Sequence, residues 1–297
     1  MPVHNLNKRW WHFSQWSYLL YLLPAVAFFC VFLISPIFST FYNSLLNWDG
    51  ISRQKTFIGF LNYHYIFNDP VFVGSIKTTL FCVVFGPIVQ TSLALILAVL
   101  IANVIVGKTM YRAIFYLPVI LSLVAASIVW FNIYNPTFGV LNSIIRLFGN
   151  KDFNLAWLGD TRTALISVLM ISIWRWTGFN IVIFMAGLQD ISMEYYEAAK
   201  IDGAGAITIF SRITIPLLSS SIVINFLLNL IGYLRLFDII QVTTRGGPAH
   251  ATEVLSTYIY KQAFQYNNIG MAGAASVILF FIIVFFSMAY LGTIRKV

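Results

Sequence analysis

Long apolar segments without Asp, Glu, Lys or Arg dominate the pattern of this chain. They run from Trp10 to Trp48, from Thr78 to Gly107 and from Ala113 to Ile145, and further apolar segments follow. A helix that spans a membrane needs about 20 consecutive apolar residues. The pattern therefore predicts an all-α transmembrane fold with six spanning helices, at about residues 18–40, 75–104, 113–134, 163–188, 216–240 and 270–292.

We expect residues 17–297, the six spans and the segments that connect them, to form one transmembrane domain. Lys8, Arg9 and two tryptophans precede the first helix, a mixture typical of the membrane interface. We expect residues 1–16 to lie on the cytoplasmic face. Six spans place both termini on the same side of the membrane. Basic residues divide evenly between the two sides, and the shorter inner segments favour a cytoplasmic N-terminus.

Composition supports the membrane class and excludes others. The 297 residues are 59% hydrophobic and only 9% charged, whereas soluble domains are about 25% charged. This excludes a soluble enzyme, a disordered chain and a nucleic-acid-binding domain. The net charge of +8 is explained by loops that face anionic lipid head groups.

No group of residues in the sequence predicts catalysis or a metal site. The four histidines are scattered without metal-ligand spacing, and Cys30 and Cys82 lie apart in apolar segments. Gly107-Lys108-Thr109 looks like the end of a phosphate-binding loop, but such a loop requires glycine where Ala102 stands. We therefore expect no catalytic residue, no metal ligand and no cofactor in this chain.

The segment over residues 190–216, between the fourth and fifth spans, is unusually polar and has a helical pattern. Ser192 can cap the helix, Glu194 lies in the first turn, and Gly203 or Gly205 can end it. On these residues alone, two interpretations stay open. The helix either lies on the membrane surface without a partner or docks into another protein, since its alanines allow close approach.

A longer pattern in this segment resembles the EAA motif of permease subunits of binding-protein-dependent ABC importers. Glu197-Ala198-Ala199 is followed after three residues by Gly203, and after nine more by Ile213-x-Ile215-Pro216. Ile215 replaces the leucine of the motif. Three other stretches also resemble sugar permeases of the maltose and glycerol-phosphate type: Arg112 to Pro118, Asn135-Pro136 to Asn142, and Gly246-Gly247-Pro248-x-x-Ala251-Thr252.

The resemblance implies a six-helix type I ABC importer permease in a bacterial plasma membrane, with both termini cytoplasmic. It implies a second, homologous permease, two ATPase subunits that bind ATP and Mg²⁺, and an extracytoplasmic binding protein for a sugar. It also implies a coupling helix that contacts an ATPase. The coupling residues implied are Glu194, Glu197, Ala198, Ala199, Asp202, Gly203, Ile213 and Pro216.

Polar and aromatic residues follow helical spacing on the two spans that flank this segment. Ser172, Arg175, Trp176 and Phe179 share one face of the fourth span. One face of the fifth carries Asn225, Asn229, Gly232, Tyr233 and Leu236. Aromatic rings and hydrogen-bonding groups suit a sugar. The resemblance places the lining of the sugar site on the same residues, Asn225 excepted.

Charged residues in these spans leave questions open. Arg175 is costly inside a membrane unless it is paired or hydrated. It meets either a carboxylate or phosphate on the substrate, or another helix, or a neutral sugar. Arg235 and Asp238 are three residues apart, and we expect them to pair near the outer surface.

We interpret the chain as the permease subunit of an ATP-driven importer of an oligosaccharide or related polyol. An ion-coupled secondary transporter is the first alternative, but it would use intramembrane acids and repeated, broken helices. A membrane-embedded enzyme is the second, and it would need a cluster of Asp, Glu or His at the end of a span.

Overall fold

The computed structural model describes residues 15–103 and 107–294. Most of the expected interfacial segment, residues 1–14, lies outside this part of the chain. The described chain is mostly helical, with one short antiparallel hairpin of β1 (Leu46–Asn47) and β2 (Thr56–Phe57). The expectation of an all-α membrane fold is confirmed.

The helices follow the apolar segments and the polar connections between them. In chain order they are α1 (Gln15–Phe29), which continues through a π-helical turn (Cys30–Ile34) into α2 (Ser35–Asn43), α3 (Leu61–Asn68), α4 (Pro70–Ala102), α5 (Lys108–Ile120), α6 (Leu123–Ile133), α7 (Val140–Leu147), α8 (Ala164–Gln189), α9 (Met193–Ile201), α10 (Ala206–Ile209), a π-helical turn (Phe210–Thr214), α11 (Ile215–Leu217), α12 (Ser219–Leu234), α13 (Asp238–Thr243), α14 (Leu255–Tyr260), a π-helical turn (Lys261–Gln265) and α15 (Ile269–Ile294).

Four stretches within these helices are long and apolar enough to cross a membrane: Tyr21–Asn43, Pro70–Ala102, Ala164–Gln189 and Ile269–Tyr290. Two bent pairs bring the number to six if each pair is one span. The pairs are Lys108–Ile120 with Leu123–Ile133, bent by 101°, and Ala206–Leu217 with Ser219–Leu234, bent by 72°.

The bends correct the prediction of an uninterrupted third span at residues 113–134. Leu121 is extended, and the hydroxyl of Ser122 then accepts a hydrogen bond from the backbone N–H of Ala125 at 3.2 Å. A serine in that position starts a new helix, so the chain turns between α5 and α6.

The fifth span, predicted as one helix over residues 216–240, is broken in two places. Leu218 leaves helical geometry between α11 and α12, and α12 ends at Leu234. The expected ion pair of Arg235 with Asp238 is therefore wrong, because spacing by three residues brings side chains together only on a continuous helix. Both ion pairs found among the described residues involve Glu253 instead.

The core is built around α4, α8 and α12. Helix α8 packs against α4 and α5, and α12 packs against α4. Gly178 on α8 makes the close approach of α5 possible. A Cβ atom at Gly178 would overlap the carbonyl oxygen of Phe115 and would lie 2.7 Å from its carbonyl carbon.

A buried carboxylate holds the connection between α13 and α15. Glu253 is fully buried and forms an ion pair with Lys261. The same carboxylate lies 3.2 Å from Nδ1 of His250. The backbone N–H of Leu255 donates to Thr79 Oγ1 of α4 at 2.9 Å. The loop that carries the Gly-Gly-Pro sequence is thereby tied to the helical core.

The packing of Gly178 predicts opposite effects of the same substitution at two helical glycines. Gly178→Ala should destabilise the protein by about 1–3 kcal/mol, since overpacking forces α5 away from α8. Gly74→Ala on α4, where a Cβ would meet no atom within 4 Å, should be neutral or stabilising by about 0.5–1 kcal/mol. Thermal unfolding of the detergent-purified variants measures both, and equal effects would contradict this view of the α5–α8 contact.

Candidate functional site

A cavity of about 340 Å³ lies between α8, α12 and residues 235–239. The two faces predicted from helical spacing meet here. All eight residues predicted to contact the substrate line this cavity: Ser172, Arg175, Trp176, Phe179, Asn229, Gly232, Tyr233 and Leu236. Asn225 shares the face of Asn229 in the sequence, but it is buried outside the cavity lining, and its amide donates to the carbonyl of Ser221 at 3.2 Å.

A network of buried polar side chains includes four residues of the cavity lining, Gln90, Asn180, Asn229 and Tyr233. Tyr233 Oη donates to Gln90 Oε1 at 2.8 Å, and Gln90 Nε2 donates to Asn229 Oδ1 at 3.1 Å. Asn180 Nδ2 also donates to Asn229 Oδ1, at 3.0 Å, and Asn229 Nδ2 donates to Thr91 Oγ1 at 3.0 Å. The network joins α4, α8 and α12 by side-chain hydrogen bonds in the apolar core.

Aromatic side chains form another part of the lining. The rings of Trp176 and Phe179 meet edge to face, with centroids 6.4 Å apart, and the two side chains are 41% and 37% exposed. Exposed aromatic faces beside amide and hydroxyl groups can bind a sugar, because the apolar face of the sugar ring packs on an aromatic ring while its hydroxyl groups form hydrogen bonds.

Arg175 lies at the cavity with few partners. One Nη atom donates to the carbonyl of Leu121 at 3.3 Å, the guanidinium lies 5.1 Å from the ring centre of Trp176, and Nε is buried without a hydrogen-bond partner. Arg235 and Asp238 also line the cavity. The lining thus offers both donors and acceptors to a polar ligand.

Several residues of the cavity lining were not predicted from the sequence. Gln90 comes from α4, Leu123 from α6, and Asn180 from the cavity side of α8. Gln90 had a usable signal, since a glutamine amid an uncharged apolar segment is a functional candidate. The pairing of Gln90 with Asn229 and Tyr233 carried no local signal, because these partners lie 139 and 143 positions away in the sequence.

The segment predicted to couple to an ATPase forms a short helix, α9. Ser192 Oγ accepts from the backbone N–H of Glu194 at 3.4 Å. Gly203 has a φ of +76°, and the N–H of Ala204 donates to the carbonyl of Ala199 at 2.9 Å. This is how a glycine in the left-handed conformation commonly ends a helix.

One side of α9 packs on the protein and the rest is exposed. Ala199 is buried, and Tyr196 Oη lies 3.4 Å from Thr214 Oγ1. Of the other predicted coupling residues, Ile213 is half-buried, and five on the helix and its C-terminal turn are exposed, as is the proline: Glu194, Glu197, Ala198, Asp202, Gly203 and Pro216. Met193, Tyr195 and Ile201 add exposed apolar surface. Among the described residues, no group of three His, Cys, Asp or Glu is placed to hold a metal ion.

Comparison with known proteins matches the chain to a family and to solved folds. The family model described as "Binding-protein-dependent transport system inner membrane component" matches residues 94–293. The chain is 36% identical to the "Probable ABC transporter permease protein YurN" of Bacillus subtilis strain 168, over 89% of this chain and 90% of that protein. It is 36% identical to the "Lactose transport system permease protein LacF" of Rhizobium radiobacter, over 87% of this chain and 86% of that one.

A solved structure shares the fold. It is a chain of a bacterial alginate ABC transporter in complex with an alginate pentasaccharide-bound periplasmic protein, with a TM-score of 0.83. The match covers 95% of this chain and 94% of that one at 23% sequence identity.

Proposed function

The chain belongs to the family of binding-protein-dependent transport system inner membrane components, and we propose that it carries an oligosaccharide or related polyol across the plasma membrane. It is a permease subunit of an ABC sugar importer and not itself an enzyme. Permeases for lactose, for trehalose and maltose, and for diacetylchitobiose are among its relatives, each at least 30% identical. An ion-coupled secondary transporter is not favoured by these relatives.

The observation that carries the proposed substrate class is the cavity between α8 and α12. Two exposed aromatic rings, Trp176 and Phe179, lie beside the amide of Asn229 and the hydroxyl of Ser172. We assign substrate contact to the eight predicted residues that line it. Arg175 adds a donor for a hydroxyl, carboxylate or phosphate group, since its Nε has no protein partner.

The proposed assembly contains a second homologous permease, two ATPases and an extracytoplasmic binding protein. The relatives are named as permeases of transport or uptake systems, and the solved transporter is complexed with a periplasmic protein. ATP and Mg²⁺ bind to the ATPases in this proposal. Helix α9 docks in a groove of one ATPase, which places the 190–216 segment and both termini in the cytoplasm.

Closure of the ATPase pair would move α9 as a rigid body and reopen the spans toward the outside. Helix α9 suits this role, because Ala199 packs on the protein while Glu197 and Ala198 stay exposed. Tyr196 of α9 contacts Thr214 in the π-helical turn before α11. A movement of α9 would therefore be transmitted through this turn to α12 and the cavity. Residues 17–297 act as one domain in this scheme.

Uptake of labelled lactose, maltose, trehalose and diacetylchitobiose tests the substrate class. Deletion of the gene in the native host should abolish uptake of at least one of the four sugars, and the wild-type gene should restore it. Trp176→Ala should lower the restored rate about tenfold, as expected for about 1.4 kcal/mol of lost stacking. Phe81→Ala is the control, since Phe81 is similarly exposed at 42% and lies outside the cavity lining.

Equal rates for Trp176→Ala and wild type, at equal amounts of protein in the membrane, would contradict the assignment of the cavity. Full uptake of all four sugars by the deletion strain would contradict the proposed range of substrates.

Substitutions in α9 and its terminal turn test the coupling role. Glu197→Lys should abolish uptake while leaving the amount of protein in the membrane unchanged, because it reverses an exposed charge at the proposed contact. Gly203→Asp should do the same, since a side chain is strained at φ +76°. Asp152→Lys makes the same change of charge at an exposed site outside residues 190–216 and should leave uptake intact. Normal uptake by Glu197→Lys would contradict the role of α9.

A further inference from the structure

The side chain of Tyr233 packs against one face of helix α4. Gly86 and Gln90 are four residues apart, so they lie on the same face of α4, one turn from each other. The ring of Tyr233 packs over Gly86, where a Cβ atom would overlap it. Its hydroxyl reaches Gln90 Oε1 at 2.8 Å.

The side-chain amide of Gln90 forms hydrogen bonds to two residues of the cavity lining, one through its oxygen and one through its nitrogen. Oε1 accepts from Tyr233, and Nε2 donates to Asn229 Oδ1 at 3.1 Å. Gln90 is only 2% exposed. A buried amide with two satisfied hydrogen bonds in a medium of low dielectric constant holds its partners firmly.

We propose that Gln90 is a positioning residue for substrate transfer, which orients Tyr233 and Asn229 toward the sugar. The inference rests on the proposed function of the cavity and extends its machinery to a third helix. Gln90 acts through these two residues. Without it, the hydroxyl of Tyr233 loses its acceptor and turns to another partner, and one of the bonds to Asn229 Oδ1 is lost.

The network also sets which hydrogen bonds remain for the sugar. The proton of the Tyr233 hydroxyl is committed to Gln90, so its oxygen acts as an acceptor, and the nearby hydroxyl of Ser172 is one donor to it. Asn229 Oδ1 already accepts from Gln90 and Asn180, and one Nδ2 hydrogen goes to Thr91. The second Nδ2 hydrogen remains as a donor. A sugar oxygen therefore accepts from Asn229, and a sugar hydroxyl donates to Tyr233 in place of the hydroxyl of Ser172.

The test compares Gln90→Met with wild type in the complete importer, reconstituted with its binding protein and ATPases. Methionine keeps the length of the side chain and removes both hydrogen bonds. The readout is the amount of sugar transported per ATP hydrolysed, measured for the sugar of the four-sugar panel with the highest wild-type rate. We expect this ratio to fall about tenfold while stimulation of ATP hydrolysis by the binding protein is retained.

A double-mutant cycle shows whether Gln90 acts through Tyr233. Tyr233→Phe removes the hydroxyl, and adding Gln90→Met to it should lower the ratio no further than Gln90→Met alone. Gln241→Met is the matched control, since Gln241 lies on α13 outside the cavity lining; it should leave the ratio unchanged. Parallel loss of transport and ATP hydrolysis in Gln90→Met, or additive effects in the cycle, would overturn the inference.

If the proposed function is wrong, the result differs from the results that would overturn the role of Gln90. A wild-type complex that transports none of the four sugars would contradict the substrate class. The same cycle is then measured by thermal unfolding of the purified complex. A coupling between Gln90 and Tyr233 would support the positioning contact, and additive shifts in Tm would overturn it.

Discussion

A polar side chain inside a membrane bundle must find its hydrogen-bond partner within the bundle, because hydrocarbon offers none. The amide of Asn229 meets this constraint with partners from three helical positions, Gln90, Thr91 and Asn180. These bonds hold α12 against α4 and α8 at the level of Asn229. Gln90, Asn180 and Asn229 also line the cavity, so the same bonds that hold the core together shape the proposed binding site.

Breaks in the helices place the remaining polar groups. The turn after Leu234 carries Arg235 and Asp238 to the cavity lining as separate groups and prevents their pairing on one helix. The break after Ile120 exposes the carbonyl of Leu121, which accepts from Arg175. Nearer the start of α4, the bond from Leu255 to Thr79 anchors the loop that contains the buried Glu253. The break between α5 and α6 thus supplies a backbone group to a charged side chain of the cavity.

Much of the fold followed from local patterns. Charge-free segments indicated the spanning helices, and helical spacing put Ser172, Arg175, Trp176 and Phe179 on one face, which the structure shows at the cavity. The cap at Ser192 and the turn at Gly203 were likewise local, since each depends on neighbours within a few residues. What failed was the long-range pairing of side chains and the interruption of helices within apolar segments. Neither the bond of Gln90 to Asn229 nor the two bends could be derived from a periodicity that extends over a single helix.

The proposed coupling of this permease through α9 to separate ATPases is tested most directly by purifying the chain with its partners. The chain is tagged in its native host, extracted in mild detergent and analysed by mass spectrometry, with a Glu197→Lys copy treated in the same way. We expect a second permease and an ATPase to accompany the wild-type chain, and the ATPase to be lost from the variant. A chain that purifies alone, or only with copies of itself, would contradict the proposed coupling.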